Sequence, residues 1–210
     1  MPTKNWTKAV IGLFSAIILT TSVFTGQSID KHGLQWVSGA SSAVILLLVL
    51  YDRWIWRWPL VQKLSELAGH PIIHGTWKAT LAFERDANGR PGTLTCYFSI
   101  YQTLSGVQLR GFFTTSESQS LTASIDRPQP NQYRLVFAYH SEAPHPARNQ
   151  NRPHDGTAML NIIGRPVESL IGSYYTDRGG AGTLKLTGYT KKLSESYDQA
   201  ASRQYGKRVS

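Results

Sequence analysis

From Thr76 to Thr190 the sequence reads as strands and turns. "TWKATLAF" puts Trp77, Ala79, Leu81 and Phe83 on one face, and "TLTCYFSIY" does the same with Leu94, Cys96, Phe98 and Ile100. Alternation of apolar and polar residues marks a strand with one buried face. Between these runs lies "ERDANGRPG", whose Asn88-Gly89 and Pro91-Gly92 are hairpin punctuation. Six more runs follow at short spacing: "SGVQLRGFF", "SLTASID", "QYRLVFAYH", "GTAMLNII", "SLIGSYYT" and "GTLKLTGYT". Almost every connection is short and holds Gly, Pro, Asn or Asp, so the simplest wiring is a sequential antiparallel meander of eight strands. No helix is available to cover their apolar faces. Closure into an up-and-down barrel buries those faces and removes the exposed edges, whereas a sandwich usually needs longer crossovers. An eight-stranded barrel is just wide enough to be filled by its own side chains or to hold one small ligand.

Ahead of the strands stand two uncharged runs, Ala9 to Thr25 and Gly33 to Tyr51. Each is close to the roughly 20 residues that a helix needs to cross a ~30 Å hydrocarbon core. Lys4 and Lys8 flank the first run as in a signal peptide, but no clear small-x-small cleavage site follows and a second run arrives at once. The pair therefore reads as a transmembrane hairpin. Lys4 and Lys8 lie before it, Arg53, Arg57 and Lys63 after it, and the turn "GQSIDKH" is balanced in charge, so both ends are expected on the cytoplasmic side. "YDRWIWRWP" interleaves tryptophan with arginine, as suits an interfacial collar. The expected organisation is a membrane hairpin and collar over 1–58, a linker over 59–70, a β-barrel ligand-binding domain over 71–193, and a loose or partly helical tail over 194–210. The net charge of +9 suits an anionic ligand or an anionic membrane surface. One cysteine, Cys96, excludes an intrachain disulfide and fits a reducing compartment.

Catalytic patterns are thin. There is no nucleophile elbow, Walker loop or HExxH motif. His140, His145, His154 and Asp155 match no familiar zinc spacing, so no metal, cofactor or enzymatic activity is expected. Binding chemistry is richer. The longest loop, after Tyr139, holds Arg148, Asn149 and Arg152. "SLIGSYYTDRGGAGTLKLTGY" holds Tyr174, Tyr175, Thr176 and Arg178 beside a glycine cluster. Strand parity turns Tyr174 inward with Leu170 and Gly172, and turns Tyr133 and Tyr139 inward with Leu135 and Phe137. Tyr175 faces out unless a bulge re-aims it. Aromatic faces stack on nucleobases and arginine forks bind phosphates, so this set suits a small molecule carrying both. The same tyrosines equally suit a barrel core with wet hydroxyl ends.

Two uncharged runs, an aromatic–basic collar and eight strands carrying "HGTWKATL", "SGVQLRGFFTTSES", "YRLVFAY" and "LIGSYYTDRGGAGTLKL" together resemble the two-transmembrane, β-strand-rich effectors of CBASS antiphage operons. Those effectors are associated with bacterial cyclic nucleotidyltransferases. The resemblance implies a cytosolic barrel that binds a cyclic dinucleotide rather than a polymeric nucleic acid. It further implies self-association and disruption of the inner membrane in abortive infection. Its ligand-site expectation is carried onto Tyr139, Arg148, Asn149, Arg152, Tyr174, Tyr175, Thr176 and Arg178. Arg110 is a weaker candidate, being out of parity with Val107 and Leu109, and Trp77 is left as a barrel plug. Ser38 and Ser42 form a small-xxx-small pair that permits close helix approach between copies, or between the two runs of one copy. The competing readings are a membrane-tethered, lipocalin-like carrier of an apolar ligand and an anchor that docks a protein partner.

Overall fold

The computed structural model describes residues 31–64, 70–84, 90–144 and 152–206. The chain divides into two units, Met1–Val61 with Thr103–Ser105, and Gln62–Gln102 with Gly106–Ser210. Helix α1 runs Lys31–Arg53 in the first, followed by a 3-10 turn at Ile55–Arg57, and the division falls within helix α2, Pro59–Leu64. The last turn of α1 is tied by Arg57, whose Nη2 donates to the Arg53 carbonyl at 2.8 Å, a favourable place for a cation. Trp58 is extended ahead of Pro59, as a residue before proline must be, and proline takes the first helical position, where its missing N–H costs nothing.

The predicted first membrane run lies outside the described residues, and the second coincides with α1. Among the described residues no helix is long and apolar enough to cross a membrane. Helix α1 nevertheless exposes Ile45, Leu46, Leu47 and Val49, and Trp54 and Trp58 are exposed beyond it while Trp56 is buried. The Ser42 hydroxyl donates back to the Ser38 carbonyl at 2.9 Å.

The second unit is the predicted barrel. Its strands are β1 (Gly75–Phe83), β2 (Gly92–Gln102), β3 (Val107–Phe112), β4 (Glu117–Gln129), β5 (Gln132–Glu142), β6 (His154–Ile163), β7 (Ser169–Thr176) and β8 (Ala181–Thr190). Each pairs antiparallel with the next, and β8 closes on β1. Inward parity fills the centre with Trp77, Phe98, Ile100, Leu135, Phe137, Leu160, Leu170 and Leu186, in the positions that alternation assigns. Three irregularities bend the wall, one of them between Asp126 and Gln129 where β4 turns into β5. Register shifts between Lys78 and Ala79 against β8, and between Ser120 and Thr122 against β5. The residue skipped in β4, Leu121, is 67% exposed. Strand β4 extends beyond the predicted "SLTASID" at both ends, turning into β5 through Pro130 and Asn131, which has φ 68°. Proline followed by a left-handed asparagine suits a type II turn.

Trp77 is fully buried. Its Nε1 donates to the Ile73 carbonyl at 2.8 Å, and its ring lies 4.9 Å from that of Tyr189. Gln102 holds the entry of the chain, accepting from the Ile73 N–H at 2.7 Å and donating to the Pro71 carbonyl at 2.9 Å. The C-terminal segment carries helix α3, Tyr197–Ala201, and is bonded to the outer wall rather than loose through residue 206. Ser99 Oγ donates to the Ser194 carbonyl at 2.7 Å, and Arg203 donates to Ser194 Oγ and to the Leu193 carbonyl, each at 2.7 Å. Tyr205 stacks on Tyr97 at 5.6 Å, covering outward-facing residues of β2 and β3 with Tyr197 and Ala200.

Cys96 is buried, and that burial pushes its thiol up to about 12. The thiolate is the reactive form. Iodoacetamide is therefore expected to leave the native chain unmodified and to alkylate it once denaturant is added, with intact mass as the readout. Modification of the native chain would contradict this packing.

Candidate functional site

The mouth formed by the end of β5, the start of β6 and the β7–β8 turn gathers most of the described candidates. Tyr139 and Tyr174 reach it from inside. Opposite Tyr139 across β6 stands Gly156, and opposite Tyr174 across β8 stands Gly182. A Cβ at Gly156 would lie 2.4 Å from the Tyr139 ring, and one at Gly182 would lie 2.8 Å from the Tyr174 ring. Each glycine therefore clears the space its tyrosine occupies. Burial, with Tyr174 and Asp177 adding to it, pushes the Tyr139 phenol up to about 12. Tyr174 is raised too, by burial first and then by Cys96 and Glu84. Both hydroxyls are protonated at neutral pH and can donate.

Beneath them the lumen is packed. A cavity of about 20 Å³ remains between Phe98, Ser118, Phe137, Tyr139, Tyr174 and Leu184. That is room for about one water molecule. Around these side chains the barrel is filled rather than hollow.

The β7–β8 turn owes its shape to Thr176 and the glycines. Thr176 N–H donates to the Gly180 carbonyl at 2.8 Å, and Gly180 N–H donates to Thr176 Oγ1 at 2.9 Å. Gly179 has φ +75°, where a side chain would be strained. Thr176 is thus engaged in the turn it was expected to line. Asp177 N–H donates to the Asp155 carbonyl at 3.0 Å, joining this turn to β6. Arg178 extends the same junction: its Nη2 contacts the Arg152 carbonyl and His154 Nδ1.

His154 is the rim residue that the sequence considered only as a metal ligand. It meets Tyr139 edge-on at 6.4 Å. Burial lowers its pKa, against the Arg152 carbonyl, which raises it. The predicted strand "GTAMLNII" begins at Gly156, whereas β6 begins at His154. Two more residues of the same parity would have aligned His154 with Gly156 and Ala158. Among the described residues no group of three metal-ligating side chains occurs. His140 instead pairs with Asp155 at 2.7 Å on the exposed side.

Tyr139, Arg152, Tyr174, Thr176 and Arg178 are therefore brought to one mouth. Arg148 and Asn149 lie outside the described residues, as does His145. Tyr175 is 52% exposed on the outer wall, as parity requires. Arg110 is also outside, paired with Glu117 at 3.0 Å and lying 5.3 Å from the Phe112 ring centroid.

The family model described as Cap15, cyclic dinucleotide receptor domain, matches residues 69–188, which span β1 to β7 and most of β8. No curated protein matches the chain.

Proposed function

This chain belongs to the Cap15 cyclic dinucleotide receptor domain family, and from that premise we propose that it binds a cyclic dinucleotide at the rim formed by β5, β6 and the β7–β8 turn, as an effector in CBASS antiphage defence. The observation that carries the reading is the gathering of Tyr139, His154 and Arg178 at one mouth, where Arg178 reaches the backbone carbonyl of Arg152, above side chains that fill the lumen. A cyclic dinucleotide offers two flat bases and two phosphates. Tyrosine and histidine rings supply stacking faces, and guanidinium groups supply paired donors for phosphate. Arg178 already spans from one turn to the neighbouring strand. A phosphate that draws it away from the Arg152 carbonyl would couple binding to the rim's own contacts. Among the described residues the lumen around Phe98, Phe137, Tyr139 and Tyr174 is filled by side chains, which favours the rim over the lipocalin-like alternative.

The anchor belongs to the same proposal. The uncharged runs Ala9 to Thr25 and Gly33 to Tyr51 are the two spans of this proposal, with both termini in the cytoplasm of a bacterial cell, and the exposed Ile45, Leu46, Leu47 and Val49 support the second. Ligand-driven association of copies then disrupts the inner membrane. Ligand can drive that step only if it binds the associated state more tightly than the free one. A cyclic nucleotidyltransferase supplies the ligand in this scheme.

The test is calorimetric titration of the full chain in detergent against a panel of cyclic dinucleotides. One member is expected to bind. Arg178→Ala is expected to weaken it about ten- to a hundredfold, the range for a lost hydrogen bond to a charged group. Arg110→Ala, on the outer wall, is expected to leave it unchanged. Silence across the panel from a folded wild-type chain would overturn the proposal.

A further inference from the structure

The opposite end of the barrel holds a second basic and aromatic cluster, which no residue of the rim explains. Tyr133 stands there on β5, half-buried, with the Arg127 guanidinium carbon 5.6 Å and the Arg165 guanidinium carbon 5.4 Å from its ring centroid. His70 meets the same ring edge-on at 6.1 Å. The two arginines come from separate places in the chain, the end of β4 and the β6–β7 turn, and both are exposed. Among the described residues neither forms an ion pair; the salt bridges are Arg110–Glu117 and His140–Asp155. Asp126, next to Arg127 in sequence, accepts instead from the Ser124 hydroxyl at 2.8 Å.

A guanidinium lying on a ring uses its face and keeps its in-plane N–H donors free for an anion. Two such groups on one ring lie no more than about 11 Å apart, where like charges repel. An anion shared between them relieves that repulsion and accepts from both. We infer that this end of the barrel is a docking site for the phosphate of an anionic phospholipid headgroup, held by Arg127 and Arg165 with Tyr133 as their platform. The direction of the chain selects lipid over free phosphate. His70 and the residues that follow it lead straight into Gly75, the first residue of β1, so the segment that joins the proposed anchor to the barrel enters at this end. The inference rests on the proposed membrane anchor and is independent of the cyclic dinucleotide rim.

The full chain in detergent is examined by native mass spectrometry with dioctanoyl phosphatidylglycerol, dioctanoyl phosphatidylcholine and inorganic phosphate as a competitor. Phosphatidylglycerol is expected to be retained in preference to phosphatidylcholine. Arg127→Ala combined with Arg165→Ala is expected to weaken that retention about thirtyfold, from two basic contacts near a lipid surface. Arg110→Ala, on the outer wall, is expected to retain the lipid as wild type does, and circular dichroism reads the β fold in every variant. Should the alanine pair fail to fold, Arg127→Lys with Arg165→Lys keeps the charges, loses the stacked forks, and is expected to weaken retention as well. Equal retention in the folded variants, or full displacement by inorganic phosphate at comparable concentration, would overturn the inference. The anchor is read separately, by whether the expressed chain sediments with membranes after an alkaline wash. A chain that sediments yet does not discriminate the two lipids refutes the headgroup site alone, and one that stays in the supernatant refutes the anchor.

Discussion

Trp77→Ala is expected to lower the unfolding free energy of the barrel by about 3–5 kcal/mol, the usual cost of removing a large buried aromatic. Trp77 is fully buried in the main core cluster and lies against Tyr189. The truncation leaves a cavity that the closed wall cannot easily collapse around, because each strand is held by two neighbours. It also strips the Ile73 carbonyl of its indole donor. Trp77→Phe separates the two effects. It keeps most of the ring volume and loses the hydrogen bond, so about 1–3 kcal/mol is expected. Denaturant unfolding of the full chain, followed by the β-sheet circular dichroism signal, reads both. A loss below about 1 kcal/mol for Trp77→Ala would mean that the entry of the chain is not fastened as described.

Gly172→Ala is expected to be as damaging, although it adds a single methyl group. Gly172 stands on β7 opposite Leu160, and a Cβ there would lie 1.8 Å from the Met159 carbonyl oxygen and 2.8 Å from its carbonyl carbon. Both contacts are backbone, so no side chain can swing aside. Either β6 and β7 separate or the wall distorts, and about 3 kcal/mol or more is expected, at the upper end of overpacking effects. Where the backbone can accept it, replacing glycine by alanine usually stabilises, by about 0.4–1 kcal/mol. The sign therefore discriminates. Gly206→Ala, whose Cβ would meet nothing within 4 Å, is the matched control and is expected to change stability by less than about 0.5 kcal/mol. The same denaturation series measures both variants, and a neutral Gly172→Ala would contradict the close approach of the two strands.

Much of this architecture was legible because strand parity is a simple code. Trp77, Ala79, Phe98 and Ile100 read as inward and are inward; Tyr175 and Arg110 read as outward and are outward. Turn chemistry gave the hairpins. What stayed hidden depends on three-dimensional volume or on bonds without a periodic signature. Leu121 breaks parity at a bulge that no residue type announces. Whether the lumen is hollow depends on how Phe98, Phe137, Tyr139 and Tyr174 share one space. The segment after Leu193 reads as polar because its attachment uses serine hydroxyls, backbone carbonyls and Arg203, with few apolar residues. At the proposed rim, Arg152, Tyr174 and Arg178 were candidates from composition and position. His154, weighed only as a metal ligand, begins β6 two residues ahead of the strand expected from Gly156.

Closure of the wall also has a consequence in time. Thr76 on β1 pairs with Thr190 on β8, so the first strand made waits for the last. At about 5–20 residues per second, synthesis of the stretch between them takes on the order of ten seconds. For that interval β1 has an unsatisfied edge open to chaperones or to wrong partners. The proposed rim is assembled from β5 to β8, the second half to emerge. If that rim is the ligand site, a nascent chain cannot bind its ligand until β8 has left the ribosome, and a chain terminated before β8 cannot bind at all.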